Sequence, residues 1–337
     1  MTTTLPLDIV TGGAGFIGSH LVDRLLTEGR RVRVIDNLVV GHRRNLAQHQ
    51  DNPNLELIVG DVADLNLMSQ ICQDADRVFH LAARADIVPS ITDPLDYFKS
   101  NVDGTFSVLE AVKQHQVRRM VYIASSSCYG FPESFPTKEE SRISPQYPYA
   151  LTKFLGEQLV MHWHQVYKLP VVSLRFFNVY GPRARTSGTY GAVFGVFLAQ
   201  LLANKPLTIV GDGTQSRDFT FVSDVVDAII TAANSSVSGE IFNVGSGRDP
   251  VTINRLVALL GAKEIAHIPK RPGEPDITWA DVSKIRAQLN WQAKVSIEEG
   301  VKIMLDNIDY WREAPVWTPE TIANATSVWF KFLGNEA

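Results

Sequence analysis

The run Thr11-Gly12-Gly13-Ala14-Gly15-Phe16-Ile17-Gly18 constrains the fold of this chain more than any other stretch. It follows the short apolar run Leu7-Asp8-Ile9-Val10 and leads into His20-Leu21-Val22-Asp23-Arg24-Leu25-Leu26, so a glycine-rich turn joins a strand to a helix. Gly12 suits the backbone of a tight turn, Gly15 lets a pyrophosphate approach the main chain, and Gly18 lets the helix pack close to the strand. The helix N-terminus then offers unpaired N–H groups and a partial positive charge to phosphates, with Phe16 and Ile17 in its first turn. A second strand over residues 31–35 ends in Asp36 and Asn37, and Asp36 lies 18 residues past Gly18, where a carboxylate would meet a ribose. Strand, glycines, helix, strand and acid in register point to dinucleotide binding. Because Asp36 would repel a 2′-phosphate and Asn37 adds no positive charge, NAD is expected over NADP.

Strand-like and helix-like runs alternate beyond this point. Residues 55–59, 77–81, 120–124 and 171–174 read as strands, and residues 101–114 and 149–167 as helices. Val102, Phe106, Leu109, Ala111 and Val112 are expected on one side of the first of these helices. Such alternation implies a parallel sheet covered by helices on both faces, with ligands at the carboxyl ends of the strands. The expected class is α/β: a Rossmann-type doubly wound parallel sheet with a smaller mixed α/β substrate lobe. The sheet domain is expected over residues 1–175, with 219–245 rejoining it, and the lobe mainly over 176–337. Residues 178–190, rich in Gly, Pro and Arg, read as an irregular loop.

Several function classes are disfavoured by composition. Of the 337 residues 45% are apolar and 20% charged, and the net charge is −4, so no basic field favours nucleic acid and an anionic ligand needs local cations. Residues 1–6 lack the features of a secretion signal. The longest apolar stretch, 192–203, is interrupted by Gln200 and too short to span a bilayer, so a cytoplasmic protein without membrane contact is expected. The two cysteines, Cys72 and Cys128, are expected to be reduced thiols, and no metal is expected.

Chemistry is expected from Ser125, Tyr149 and Lys153. Ser125 opens a serine-rich strand end with Ser126 and Ser127, while Tyr149 and Lys153 lie one helical turn apart and face the same way. A lysine ammonium, together with an oxidised nicotinamide, would favour the phenolate of Tyr149, which could take a proton from a sugar hydroxyl as hydride leaves. Ser125 would hydrogen-bond the same oxygen. Asp61 and Val62 at the third strand end suit an adenine contact, with helix capping the alternative for Asp61. Leu81, Ala82 and Ala83 after the fourth strand are small enough for a dinucleotide to pass, and His80 reads as structural.

Thr11-Gly12-x-x-Gly15-x-x-Gly18, His80-Leu81-Ala82-Ala83, Asn101-Val102-x-Gly104-Thr105 and Tyr149-Ala150-Leu151-Thr152-Lys153 together resemble the extended short-chain dehydrogenase/reductase family. The later segments Arg175-Phe176-Phe177-Asn178-Val179-Tyr180-Gly181-Pro182-Arg183, Gly211-Asp212-Gly213-x-x-x-Arg217-Asp218-Phe219 and Arg271-Pro272-Gly273-Glu274 resemble its nucleotide-sugar-modifying members. The resemblance implies that Asn101 lies in the cofactor site, that Asn178, Arg217 and Arg271 contact a substrate diphosphate, and that Glu274 contacts the nucleotide ribose. It also implies a homodimer formed through the helices at 101–114 and 149–167. Dehydrating members carry an Asp-Glu pair just after the position of Ser125, and decarboxylating members a Glu at the position of Ser127. Here Ser126 and Ser127 stand instead, which leaves NAD-dependent 4-epimerisation of a UDP-hexose through a 4-keto intermediate as the implied reaction. Arg185 resembles the sugar-carboxylate arginine of UDP-glucuronate epimerases, whereas residues 186–190 follow the N-acetylhexosamine pattern more closely, so neutral, acidic and N-acetylated sugars all stay open. Dehydratase, decarboxylase and non-catalytic NAD-sensor readings are the rivals.

Overall fold

The computed structural model describes residues 5–184 and 193–334. Its centre is a seven-stranded sheet of β1 (Leu7–Thr11), β2 (Arg31–Asp36), β3 (Leu55–Val59), β4 (Ala75–His80), β5 (Arg119–Ser125), β6 (Val171–Phe176) and a late strand, Glu240–Val244. Every pairing in it is parallel, and the spatial order runs β3-β2-β1-β4-β5-β6 with the late strand at the edge. Strand order therefore reverses between β1 and β4, which opens a crevice at their carboxyl ends.

The strands read as near-continuous apolar runs because both faces are covered. Ile9, Val78, Met120 and Tyr122 enter one buried cluster, while their neighbours Val10, Phe79, Val121 and Ile123 enter another on the opposite face. On one face lie α2 (Leu65–Ile71), α5 (Gly104–Gln114) and α6 (Pro148–Tyr167); on the other, α1 (Phe16–Thr27) packs against a later helix, Val222–Asn234. Two short helices, α3 (Ile87–Thr92) and α4 (Pro94–Phe98), and a π-helical turn at Lys99–Asp103 precede α5.

The lobe contains β7 (Asn178–Tyr180), α7 (Val193–Leu202), β8 (Leu207–Val210), β9 (Ser216–Arg217) and β10 (Phe219–Phe221). The chain then returns to the sheet through α8 (Val222–Asn234) and β11 (Glu240–Val244). It leaves again as β12 (Val251–Thr252), α9 (Ile253–Leu259) and β13 (Ile265–Ile268), packs back on β11 through α10 (Ser283–Leu289), and ends with α11 (Ile297–Asp306) and α12 (Pro319–Leu333). Three two-stranded pairs, β7 with β10, β8 with β13 and β9 with β12, surround a core in which Tyr180 stacks on Phe194 at 4.6 Å between ring centres. No helix among the described residues is long and apolar enough to cross a membrane.

Two local expectations are corrected. Residues 178–180 are strand rather than irregular loop: they precede the first breaker pair, Gly181-Pro182, and pair in parallel with Phe219–Phe221. Phe106 does not share the buried side of α5 with Leu109, Ala111 and Val112; it lies four and seven residues before Glu110 and Lys113 on the outer stripe, packs edge-on against Trp163, and is 41% exposed.

Candidate active site

The crevice between β1 and β4 opens into a cavity of about 640 Å³ that runs between the sheet and the lobe. Its dinucleotide end is made largely of backbone. Gly12 has φ +69°, and a Cβ there would lie 2.8 Å from the Ala82 nitrogen; a Cβ at Gly18 would overlap the Gly12 carbonyl oxygen. Gly15 is the N-cap of α1, and no side chain caps that helix, which leaves its first-turn N–H groups without a side-chain acceptor. The Asp36 carboxylate accepts from the backbone nitrogens of Ala14 at 3.0 Å and Leu38 at 2.9 Å. Burial raises its pKa, against those two bonds and the charge of His42.

A hydrogen-bonded chain fixes the strand end opposite the glycines. Thr105 donates its hydroxyl to the Asn101 carbonyl at 2.6 Å, so the His80 Nε2–H donates to Thr105 at 3.0 Å and Nδ1 accepts from the Thr11 hydroxyl at 2.8 Å. The same Thr11 oxygen accepts from the backbone nitrogens of Leu81 and Ala82 at 3.1 Å each. Burial, and secondarily the charge of Lys153, pushes His80 down to about 3, so it stays neutral in a structural role, as the sequence suggested.

The middle of the cavity carries Ser125, Ser126, Ser127 and Tyr149. Ser125 ends β5, and its hydroxyl hydrogen-bonds the Ser127 hydroxyl at 2.8 Å and lies near enough to the Tyr149 phenol to influence its titration. In the protein alone, burial raises the Tyr149 pKa and the Ser125 hydroxyl pulls it back. Lys153 is buried beneath the cavity wall with Nζ 4.5 Å from the centre of the Tyr122 ring; burial lowers it to about 7, and the charge of Glu157 opposes that shift. Glu157 is itself held by Arg175 at 2.6 Å and by the Ser173 hydroxyl at 2.9 Å.

The lobe end is built from charged side chains. Arg217 donates to Glu274 at 2.7 Å and to the Ser216 carbonyl at 2.9 Å, and Arg271 approaches the second oxygen of Glu274 at 3.5 Å. Two guanidinium groups and one carboxylate leave a net charge of +1 facing the cavity. Burial is the largest single effect on Glu274 and raises its pKa, but the two arginines together outweigh it and leave the carboxyl below its ordinary value. Asn178 also lines this end, its side-chain oxygen accepting from the Thr278 hydroxyl at 2.7 Å.

Gly12, Gly15, Phe16, Ile17, Gly18, Asp36, Asn37, Val62, Leu81, Ala82 and Ala83 line the cavity, together with Ser125 to Ser127, Tyr149, Asn178, Arg217, Arg271 and Glu274. Three expected residues do not line it. Lys153 is covered, and Asn101 commits its amide to Arg84 and Thr152 beneath the loop that forms the wall. Asp61 accepts from the Ala63 nitrogen at 2.9 Å; nor does it cap α2, a role taken by Asp64. Arg185 lies outside the described residues. Tyr147 and Trp329 line the cavity but carried no signal in the sequence, because their placement depends on how α6 and α12 pack. Gly41 also lines it: a Cβ there would lie 2.7 Å from the Asp36 carboxylate. Both cysteines are free and buried, and among the described residues no cluster of three metal-ligating side chains is present.

Residues 9–245 match the model of the NAD dependent epimerase/dehydratase family. The chain is 36% identical over 299 residues to the UDP-glucose 4-epimerase of Mycolicibacterium smegmatis, covering 87% of this chain and 95% of that protein. It is 35% identical over 311 residues to UDP-glucuronic acid decarboxylase 1 of Arabidopsis thaliana, covering 89% of this chain and 69% of that one. Among solved structures, the UDP-glucuronic acid 4-epimerase of Bacillus cereus in complex with UDP-glucuronic acid and NAD superposes with a TM-score of 0.83 at 34% identity, covering 90% of this chain and 99% of that chain.

Proposed function

This chain belongs to the NAD dependent epimerase/dehydratase family of enzymes acting on nucleotide sugars, and we propose that within it the protein is a 4-epimerase of a UDP-hexose. The observation that carries this reading is the strand end of β5. Ser125 and Tyr149 face the same cavity there, and the two following positions offer the hydroxyls of Ser126 and Ser127 rather than the carboxyl groups that dehydration or decarboxylation needs. The cofactor fits: the glycine turn and the uncapped start of α1 face the cavity, and Asp36 presents a carboxylate beside them.

Bound NAD supplies the acceptor, and later the donor, of the C4 hydride. Tyr149 removes the proton from O4, and Ser125 hydrogen-bonds the same oxygen as charge develops on it. Lys153, one turn along α6, is the cation whose charge favours the phenolate. Arg217 and Arg271 hold the diphosphate while the planar 4-keto sugar turns over in the cavity. Tyr149 then returns its proton to O4 on the opposite configuration.

Incubation of the NAD-loaded protein with UDP-glucose, UDP-N-acetylglucosamine and UDP-glucuronate, followed by NMR of the anomeric proton, tests the reading. Inversion at C4 of one of them is expected. Loss of water or carbon dioxide would assign a rival reaction, and no turnover of any sugar would favour the sensor.

We further propose a homodimer formed through α5 and α6. Phe98, Phe106, Leu151 and Tyr167 are each more than a third exposed on or beside these helices, which a helix covering only one sheet does not require. Light scattering at micromolar concentration is expected to give twice the chain mass, and a monomeric mass would contradict the proposal.

A further inference from the structure

The C-terminal helix α12 lies beyond the residues matched by the family model, yet it forms part of the cavity wall. Its start is fixed: Thr318 caps it reciprocally with Thr321, Pro319 occupies its first turn, and Gln200 in the lobe core donates to the Trp317 carbonyl at 2.8 Å. Ile322 then enters the lobe core, and the helix also packs against α3 of the sheet domain. α12 therefore bridges the two sides of the cleft.

One turn before its end stands Trp329, only 3% exposed. Its indole N–H donates to the Pro272 carbonyl at 2.6 Å, and the Arg271 guanidinium lies 5.5 Å from the ring centre. Its other neighbour is the Tyr147 ring, 6.5 Å away, which stacks in turn on Tyr149 at 6.4 Å with the planes 9° apart. A single side chain from the end of the chain thus braces the loop carrying Arg271 and Glu274 and touches the residue that stacks on the candidate base.

We propose that Trp329 is a positioning residue for nucleotide-sugar binding: it fixes the Arg271–Glu274 loop so that Arg271 faces the substrate diphosphate. The inference rests on the reading of the cavity as a UDP-hexose site. The indole N–H fixes the loop backbone at Pro272, and its ring faces restrict the long, rotamer-rich Arg271 side chain. Both effects act before ligand arrives, so they lower the ordering cost of binding.

Full-length Trp329→Phe, Trp329→Ala and Phe332→Ser test this, with UDP as probe in calorimetry and with KM and kcat read separately. Phe332 is 61% exposed on the same helix and serves as the control. Trp329→Phe loses the bond to Pro272 but keeps a ring, so UDP affinity is expected to fall by about 3- to 10-fold. Trp329→Ala is expected to lose about 10- to 100-fold, since the ring contact and packing go as well. KM should rise more than kcat falls, NAD content should be unchanged, and Phe332→Ser should match wild type. If Trp329→Ala does not fold, Trp329→Phe carries the test. Wild-type UDP affinity in a folded Trp329→Phe variant, with only its melting temperature lowered, would overturn the positioning role and leave the reading of the site intact. If the wild type itself failed to bind UDP, that reading would fall and the inference with it.

Discussion

The two ends of the cavity are built by opposite means. At the dinucleotide end the walls are main chain and glycine: Gly12 meets the backbone of Ala82, Gly18 meets the Gly12 carbonyl, and Asp36 is held by two backbone N–H groups. At the lobe end the walls are long side chains from separate segments, with Arg217 on β9, Arg271 and Glu274 on the loop before α10, and Trp329 on α12. The first is set once the strands are in register, whereas the second depends on rotamers that hold one another. Tight backbone contacts tolerate no added atom, and side-chain clusters tolerate change but lose affinity in steps. The two ends should therefore fail differently when altered.

The largest effect is expected at the seam between them. Tyr149→Phe keeps the ring that stacks on Tyr147 and removes the hydroxyl that faces the cavity beside Ser125. Turnover is expected to fall by about 10²–10⁴, the range for a lost general base, with NAD and UDP both still bound. Lys153→Ala should also slow the reaction, and Ser125→Ala should do so less, because Ser127 lies 2.8 Å from Ser125 and offers a second hydroxyl. Wild-type rates from a folded, NAD-loaded Tyr149→Phe protein would remove Tyr149 from the chemistry and leave the two-ended comparison without its centre.

At the side-chain end, Arg217→Ala or Arg271→Ala takes the cluster with Glu274 from a net +1 to neutral. Loss of one charge-assisted bond to the diphosphate is expected to cost about 1.5–3 kcal/mol, or roughly 10- to 100-fold in UDP affinity by calorimetry. NAD affinity should not move, because neither arginine approaches the glycine turn. Should UDP bind both variants as it binds wild type, the diphosphate would have to sit elsewhere in the cavity.

The same contrast explains what could be read from the chain. Glycine spacing, the acid after β2 and the alternation of apolar runs encode the dinucleotide end within residues 7–83, because backbone proximity demands particular residue types at particular intervals. The serines ending β5 and the Tyr149–Lys153 spacing are legible for the same reason. Trp329 and Tyr147 are not, since an aromatic at helical spacing describes a core residue equally well. Its spacing puts Lys153 one turn from Tyr149 along α6 without giving its depth, and the lysine is buried over the Tyr122 ring. Sequence spacing is likewise silent about the local bonds that Asp61 makes to the Ala63 nitrogen and Asn101 makes to Arg84 and Thr152.

Gly18→Ala tests the backbone end. The added methyl would overlap the Gly12 carbonyl oxygen and must push α1 away from the turn, an overpacking cost of about 1–3 kcal/mol. A lowered melting temperature is expected, with NAD affinity falling more than UDP affinity. Equal loss of both ligands would show that the two ends are coupled rather than separately built.

The smallest effect is expected from Asp36→Asn, and it separates charge from shape at the same end. The carboxylate accepts from Ala14 and Leu38, and Gly41 leaves no room for a side chain against it, so the amide must occupy the same space. One amide oxygen can keep one of the two backbone bonds, while the NH₂ group faces the other N–H. The remaining acceptor is neutral, and exchanging a charge-assisted bond to the ribose for a neutral one is worth about 1 kcal/mol. NAD affinity should therefore fall by roughly 5-fold. NADP affinity should fall less or rise, because the negative charge that repels a 2′-phosphate has gone, and the ratio of the two dissociation constants should narrow. Calorimetry with both dinucleotides on the same preparation reads this ratio directly. An unchanged ratio would mean that the fixed backbone alone selects the cofactor, and the dinucleotide end would then be even more purely a main-chain site than its contacts describe.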